Sequence, residues 1–264
     1  MSDATRDAVS AALFGAGAPS VQEDRGELIT YLPNDASLDA VRRVVDAEAG
    51  TVLHVREASE AEVDREWPST VGVSRAGKFT IAPPWLASTA GGEIVLSIDP
   101  AMAFGTGEHP TTRSVLRLMQ HVLRPGDRVA DLGTGSGVLA IGAARLGASR
   151  VAAIESDSDA IGNAEENVRA NGVSDHVVVI EGDAEIVLPH VSPVHLVLAN
   201  IVSSTLISLL PAIRAALTAD GLAIFSGILL EEREQFISAL ADAGWRVHRE
   251  DIEDEWWTAV AHPR

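Results

Sequence analysis

From Arg128 onward the chain alternates short apolar runs with amphipathic stretches of helical period, and this alternation restricts the fold more than any other property of the sequence. Arg128–Leu132, Val151–Glu155, Val177–Ile180, Val194–Ala199, Leu222–Ser226 and Trp245–Glu250 read as strands. Val138–Leu146, Asp157–Asn171, Ser204–Leu217 and Glu231–Ala243 read as the helices between them, the second closed by Asn171-Gly172. Units of this kind cross over in a right-handed sense, so the expectation is a parallel sheet with helices on both faces. Ligands of open α/β sheets lie beyond the carboxyl ends of the strands, so function is sought in the residues that follow each one.

The first 85 residues have a different texture. A helix over Asp3–Phe14, a strand over Glu27–Leu32, a helix over Leu38–Glu48 and a strand over Thr51–Arg56 suggest a small α+β unit. A strand over Gly77–Pro84 runs into Pro83-Pro84-Trp85, and Ala90-Gly91-Gly92 punctuates a linker over 86–99. The larger domain is then expected over 100–264, a division that a chain of 264 residues can accommodate.

Composition removes several chemistries. There is no cysteine, which excludes disulfides, thiolate catalysis and cysteine-ligated metal sites. The opening MSDATRDAVS lacks the features of a signal peptide and no apolar run is long enough to cross a bilayer, so a cytoplasmic, membrane-free protein is expected. The formal net charge is −18, and Lys78 is the only lysine among 20 basic residues. Such a surface repels nucleic-acid phosphate and attracts basic partners, and it also serves simply to keep a protein soluble.

The most informative segment is Asp131-Leu-Gly-Thr-Gly-Ser-Gly137, placed between a strand and a helix. Gly133, Gly135 and Gly137 allow a tight turn and a close ligand approach. Glu155 ends the next strand, 22 residues after Gly133, where a carboxylate can accept from both hydroxyls of a ribose. The spacing G-x-G-x-G differs from the dinucleotide fingerprint, which places its third glycine where Val138 stands. Asp131 suits a ligand carrying an ammonium group better than one carrying a pyrophosphate, so the cofactor implied is S-adenosylmethionine. Asp183 follows the third strand and can accept from an adenine amino group or cap a turn. Asn200 follows the fourth and can hold a methyl acceptor or cap a helix.

Further motifs narrow the reading. Met102-Ala-Phe-Gly-Thr-Gly-Glu-His-Pro-Thr-Thr112, Asp131–Gly137, Asn171-Gly172, Leu198-Ala-Asn-Ile201, Ser226-Gly-Ile-Leu229 and Asp254-Glu-Trp256 together resemble the ribosomal protein L11 methyltransferase family (PrmA). The resemblance is strongest over 98–264; in the N-terminal part Leu13-Phe14-Gly15, Glu66-Trp67 and Pro84-Trp85 are similar to it. It implies a Rossmann-like class I methyltransferase sheet, an α/β fold, preceded by a small α+β domain that captures the ribosomal protein. It further implies N-methylation of α-amine and lysine amines of L11. By motif, Thr112, Gly133, Glu155 and Asn200 would contact the cofactor, with Phe104, His109 and Thr111 in the same loop; Glu155 stands where the family usually has aspartate. His109 has no partner at metal or catalytic spacing, so a loop-ordering hydrogen bond is its expected role. Two other readings share these features: a methyltransferase of the same fold acting on another protein or a small molecule, and a non-catalytic nucleotide-binding module.

Overall fold

The computed structural model describes residues 9, 12–13, 22–24, 27–30, 32, 37–47, 53–55, 72–100 and 107–264. The chain divides into two compact units, 1–70 and 71–264. In the first, β1 (Gln22–Asp24) and β2 (Glu27–Ile29) pair antiparallel, and α1 spans Asp39–Ala47. Val41 and Val45, one helical turn apart, are buried with Val9 and Leu13, while Arg42, Arg43 and Asp46 face water. The strand expected over Thr51–Arg56 is not formed at Leu53–Val55, the described part of it.

The second unit begins earlier than residue 100. β3 (Ser74–Ala76) turns through Gly77-Lys78 into β4 (Phe79–Ala82), which runs parallel to β5 (Ile94–Ser97); α2 (Pro84–Ala87) lies between β4 and β5. Lys78 forms an ion pair with Glu93 (3.1 Å) on this small sheet. Ala76, Phe79, Ile81, Leu96 and Ile98 are buried in one core with Val115, Leu116 and Met119 of α3 (Pro110–Val122) and Ile141 of α4 (Val138–Arg145). The span expected to be a linker therefore carries a strand and part of the core of the larger unit. Its short apolar runs are buried against helices that come later in the chain.

The main sheet contains β6 (Arg128–Leu132), β7 (Arg150–Glu155), β8 (Val177–Glu181), β9 (Val194–Asn200), β10 (Leu217–Leu229), β11 (Trp245–Glu253) and β12 (Trp256–Pro263). Their order is β11-β12-β10-β9-β6-β7-β8. The five strands from β8 to β10 are parallel, as expected, whereas β12 runs antiparallel between β10 and β11. The remaining helices are α5 (Ser158–Ala170), α6 (Ala184–Val191), α7 (Ser203–Ala216) and α8 (Arg233–Asp242). Five parallel strands with helices on both faces, and one antiparallel strand next to the edge, make a doubly wound, Rossmann-like α/β sheet.

The two-residue alternation of side chains sorts the strands between two cores. Val129, Leu196, Leu198, Ile224 and Val260 face the core that contains α3 and α4. Ala130, Val197, Ala199, Phe225 and Ala259 face the other, where Phe225, Phe236, Trp245 and Trp257 meet edge to face at 5.5–6.0 Å. The chain reverses direction across the sheet between β6 and β9, and at that switch point two neighbouring strands send their following loops apart and leave a crevice. Leu132 pairs with both Ile154 and Ala199, so Gly133, Glu155 and Asn200 emerge at one level at its edge.

Candidate cofactor and methyl-transfer site

The glycine loop after β6 requires its glycines. Gly133, Gly135 and Gly137 have φ of 66°, 52° and 83°, in the left-handed region that side chains disfavour. A Cβ on Gly133 would lie 2.6 Å from the Ile201 side chain, so the loop after β6 and the turn after β9 are packed directly together. On the far side of that turn is Gly227 (φ 81°), at a bulge in β10, where a Cβ would lie 2.5 Å from the Ile201 carbonyl oxygen.

Asp131 is fully buried under the loop. Its Oδ2 accepts from the Thr134 hydroxyl (2.6 Å) and the Ala140 amide (3.1 Å), while Oδ1 is buried without a hydrogen-bond partner. Burial raises its pKa to about 7, the two hydrogen bonds oppose the rise, and the charge of Glu155 adds to it. A carboxyl half-ionised near neutrality, with one oxygen unpartnered, fits a cationic ammonium as its missing partner. Glu155 is already engaged: Oε2 accepts from Gly135 N (2.8 Å), and Oε1 from Ser156 N (2.9 Å) and Asp157 N (3.0 Å). A carboxylate has roughly four lone-pair directions, so three are taken by backbone amides and one acceptor position is open. Across the β7–β8 ladder, Asp183 accepts from the Glu185 amide (2.7 Å) and caps α6, the cap reading of that residue.

Asn200 ends β9 with its Oδ1 buried and without a hydrogen-bond partner. Its neighbour across the ladder, Ser226, shares a hydrogen bond with Thr258 (2.7 Å) and donates to the Thr111 carbonyl (3.5 Å). The first turn of α3, with Thr111 and Thr112, therefore lies against the end of β10 beside Asn200. Thr112 Oγ1 is a third buried oxygen without a partner. Buried polar atoms are nearly always satisfied, because leaving one unpaired costs about 1–3 kcal/mol. The unpaired oxygens of Asp131 and Asn200 flank the glycine cradle, that of Thr112 is on the helix packed against the neighbouring end of β10, and the residues present fit an adenosyl cofactor with its amino-acid tail.

His109 has the ordering role expected of it. Its Nδ1 lies 2.7 Å from Thr111 Oγ1 and accepts from the Thr111 amide (3.4 Å), capping α3, and its ring meets Trp256 edge to face at 4.9 Å. Burial, and then the Arg113 guanidinium, hold its pKa below the usual imidazole range, against Glu255 and Glu253. The neutral ring keeps Nδ1 as an acceptor. Arg113 donates to the Glu108 carbonyl and to Glu253, and Arg117 reaches Asp251 (2.8 Å), so the β11–β12 hairpin braces this end of α3. None of these braces was expected from the sequence; Trp256 had only its motif as a signal. Phe104 lies outside the described residues. Among those residues no group of three metal-ligating side chains occurs and no helix is long and apolar enough to cross a membrane.

A match to the ribosomal protein L11 methyltransferase (PrmA) family spans residues 5–263. A ribosomal protein L11 methyltransferase of Chloroflexus aurantiacus is 35% identical over 90% of this chain and 82% of its own. Another, from Thermus thermophilus, is 36% identical over 95% of this chain and 92% of its own. A crystal structure of a ribosomal protein L11 methylase from Lactobacillus delbrueckii subsp. bulgaricus superposes with a TM-score of 0.65 at 29% identity, covering 73% of this chain and 99% of that one. The family match runs over nearly the whole length, and the chain belongs to the ribosomal protein L11 methyltransferase family.

Proposed function

We propose that this protein transfers methyl groups from S-adenosylmethionine to α-amine and lysine amines of ribosomal protein L11, with Asn200 holding the acceptor nitrogen and the first 70 residues selecting the target. The observation that carries the assignment of Asn200 is its buried, unpartnered Oδ1 at the switch point, level with Gly133 and Glu155. Gly133, Gly135 and Gly137 admit the cofactor; Glu155 offers an acceptor to its ribose, Asp131 and Thr112 offer theirs to its amino-acid tail, and Asp183 lies at the strand end beside Glu155. When bound, the cofactor supplies an electrophilic methyl on a sulfonium, whose departure leaves a neutral thioether.

The acceptor must present a free lone pair. An α-amine near pKa 8 costs about 1 kcal/mol to deprotonate at neutral pH, and a lysine near 10.4 about 4–5. Asn200 accepts an amine N–H through Oδ1 and aims the lone pair, and, being neutral, does not stabilise the unreactive ammonium as a carboxylate would. Desolvation in the crevice lowers the amine pKa further, and the released proton passes to water. Alignment of this kind accounts for roughly 7–11 kcal/mol in intramolecular models. The net charge of −18 is complementary to a basic target.

Single-turnover methylation of an L11 peptide tests the role of Asn200. Asn200→Ala should lower the rate constant by about ten- to a thousandfold, with a much smaller change in adenosylhomocysteine affinity, and Asn200→Asp should be slow through its charge. Lost cofactor binding with normal turnover at saturation would place Asn200 in the cofactor site instead. Incubating purified L11 with labelled cofactor, followed by mass mapping, tests the target; no label on any amine would refute it.

A further inference from the structure

Two asparagines one helical turn apart hold the same extended segment. Asn171, just after α5, accepts from the Ser97 amide (2.9 Å) and donates to the Ser97 carbonyl (2.7 Å). Asn167, within α5, accepts from the Asp99 amide (2.8 Å) and donates to the Asp99 carbonyl (3.2 Å). Four residues of helix rise about 6 Å and two residues of strand about 6.6 Å, so the amides meet alternate residues of β5 and its extension as a neighbouring strand would.

The twins differ in where their remaining donor capacity goes. Asn167 Nδ2 also donates to the Ser136 carbonyl (2.9 Å), inside the glycine loop, whereas Asn171 turns its remaining donor to the Asn167 carbonyl of its own helix (2.8 Å). Asn167 and Ser136 are both fully buried. The loop is therefore fixed from three sides: Gly133 and Thr134 donate to the Ile154 carbonyl, Gly135 to Glu155, and Ser136 accepts from Asn167.

We infer that Asn167 is a positioning residue for the cofactor, setting the glycine loop against the Asp99 backbone so that its amides and glycine faces are in place before the ligand arrives, while Asn171 supports the strand alone. The inference rests on the reading that this loop holds the adenosyl cofactor. Loop placement contributes to affinity because a loop that must be ordered on binding costs free energy that a preorganised one does not.

The test compares Asn167→Ala with Asn171→Ala in the full chain, measuring adenosylhomocysteine affinity by calorimetry and Tm without ligand. Both variants should melt earlier. Asn167→Ala should weaken binding by about five- to fiftyfold and raise the cofactor KM in step with little change in kcat, while Asn171→Ala stays within about twofold of the unmodified protein. Equal effects of the two variants on affinity would overturn the assignment. Hydrogen exchange by NMR on the unmodified protein tests the same coupling even if Asn167→Ala does not fold. By reciprocity, adenosylhomocysteine should protect the Asp99 amide and leave that of Ser97 nearly unchanged; the same response at both would overturn it. Failure of the unmodified protein to bind adenosylhomocysteine at all would instead refute the underlying reading of the loop.

Discussion

Gly227→Ala separates backbone strain from collision at the site. The residue has φ of 81°, and a Cβ there would lie 2.5, 2.9 and 3.1 Å from the oxygen, carbon and nitrogen of Ile201, all backbone atoms that no rotamer change can move aside. Gly172 is the control: its φ is 65° and a Cβ would meet nothing within 4 Å. Gly172→Ala should cost only the left-handed strain, about 1–2 kcal/mol. Gly227→Ala carries the same strain plus about 1–3 kcal/mol of overpacking, for a total of about 2–5. To restore ordinary separation the Asn200–Ile201 turn must retreat by about 0.5–1 Å, and misplacement of a reacting group by 1 Å costs on the order of a hundredfold in rate. Urea denaturation should therefore rank unmodified protein, Gly172→Ala, then Gly227→Ala, and single-turnover methylation should fall only in the last. Equal stability losses, or an unimpaired turnover rate in Gly227→Ala, would show that the turn after β9 does not depend on the bulge beneath it.

Asp131 should make the ligand-free protein less stable as pH rises: its folded pKa of about 7 exceeds the ordinary 3.8, so the native state binds the extra proton between them. From pH 5 to pH 8 this removes about 2–3 kcal/mol, and Asp131→Asn should abolish that part of the fall; identical pH profiles in denaturant titrations would refute it. Glu155→Ala should weaken adenosylhomocysteine by about 1–3 kcal/mol and lower Tm, since the Gly135, Ser156 and Asp157 amides lose their acceptor; unchanged calorimetric affinity would remove Glu155 from the ribose. A fragment of residues 71–264 should bind adenosylhomocysteine normally yet methylate L11 poorly, whereas one of residues 90–264 should not fold, because it lacks Ala76, Phe79 and Ile81 of the core. Circular dichroism and calorimetry on both fragments would decide, a folded 90–264 fragment counting against the placement of β3 and β4.

What was legible in the sequence is what periodicity and backbone chemistry determine locally. The strands that end at Leu132, Glu155 and Asn200 are apolar runs that give way to a glycine or a polar residue, so their ends could be read directly to within a residue. β12 was not read as a strand at all, because Trp256–Pro263 has no polar alternation to mark it, and a buried strand has no signal for its sense. Pro110–Val122 was hidden as a helix because its opening residues were conspicuous as a motif; the cap supplied by His109 depends on a ring nitrogen rather than the usual short oxygen side chain. Asn167 falls inside a stretch read only as a helix, and only the fold brings it to the backbone of Asp99, 68 residues earlier.

The pairing of Lys78 with Glu93 bears on the chemistry the protein performs on others. A catalyst of amine alkylation is surrounded by copies of itself, and every exposed primary amine on them competes with the true acceptor. This chain carries its positive charge almost wholly on arginine, whose guanidinium stays protonated at any physiological pH and has no free lone pair to attack a methyl group. Its single lysine lies beside a carboxylate, 3.1 Å from Glu93. The protein thereby offers its own reaction a single side-chain primary amine, and that one is engaged in an ion pair.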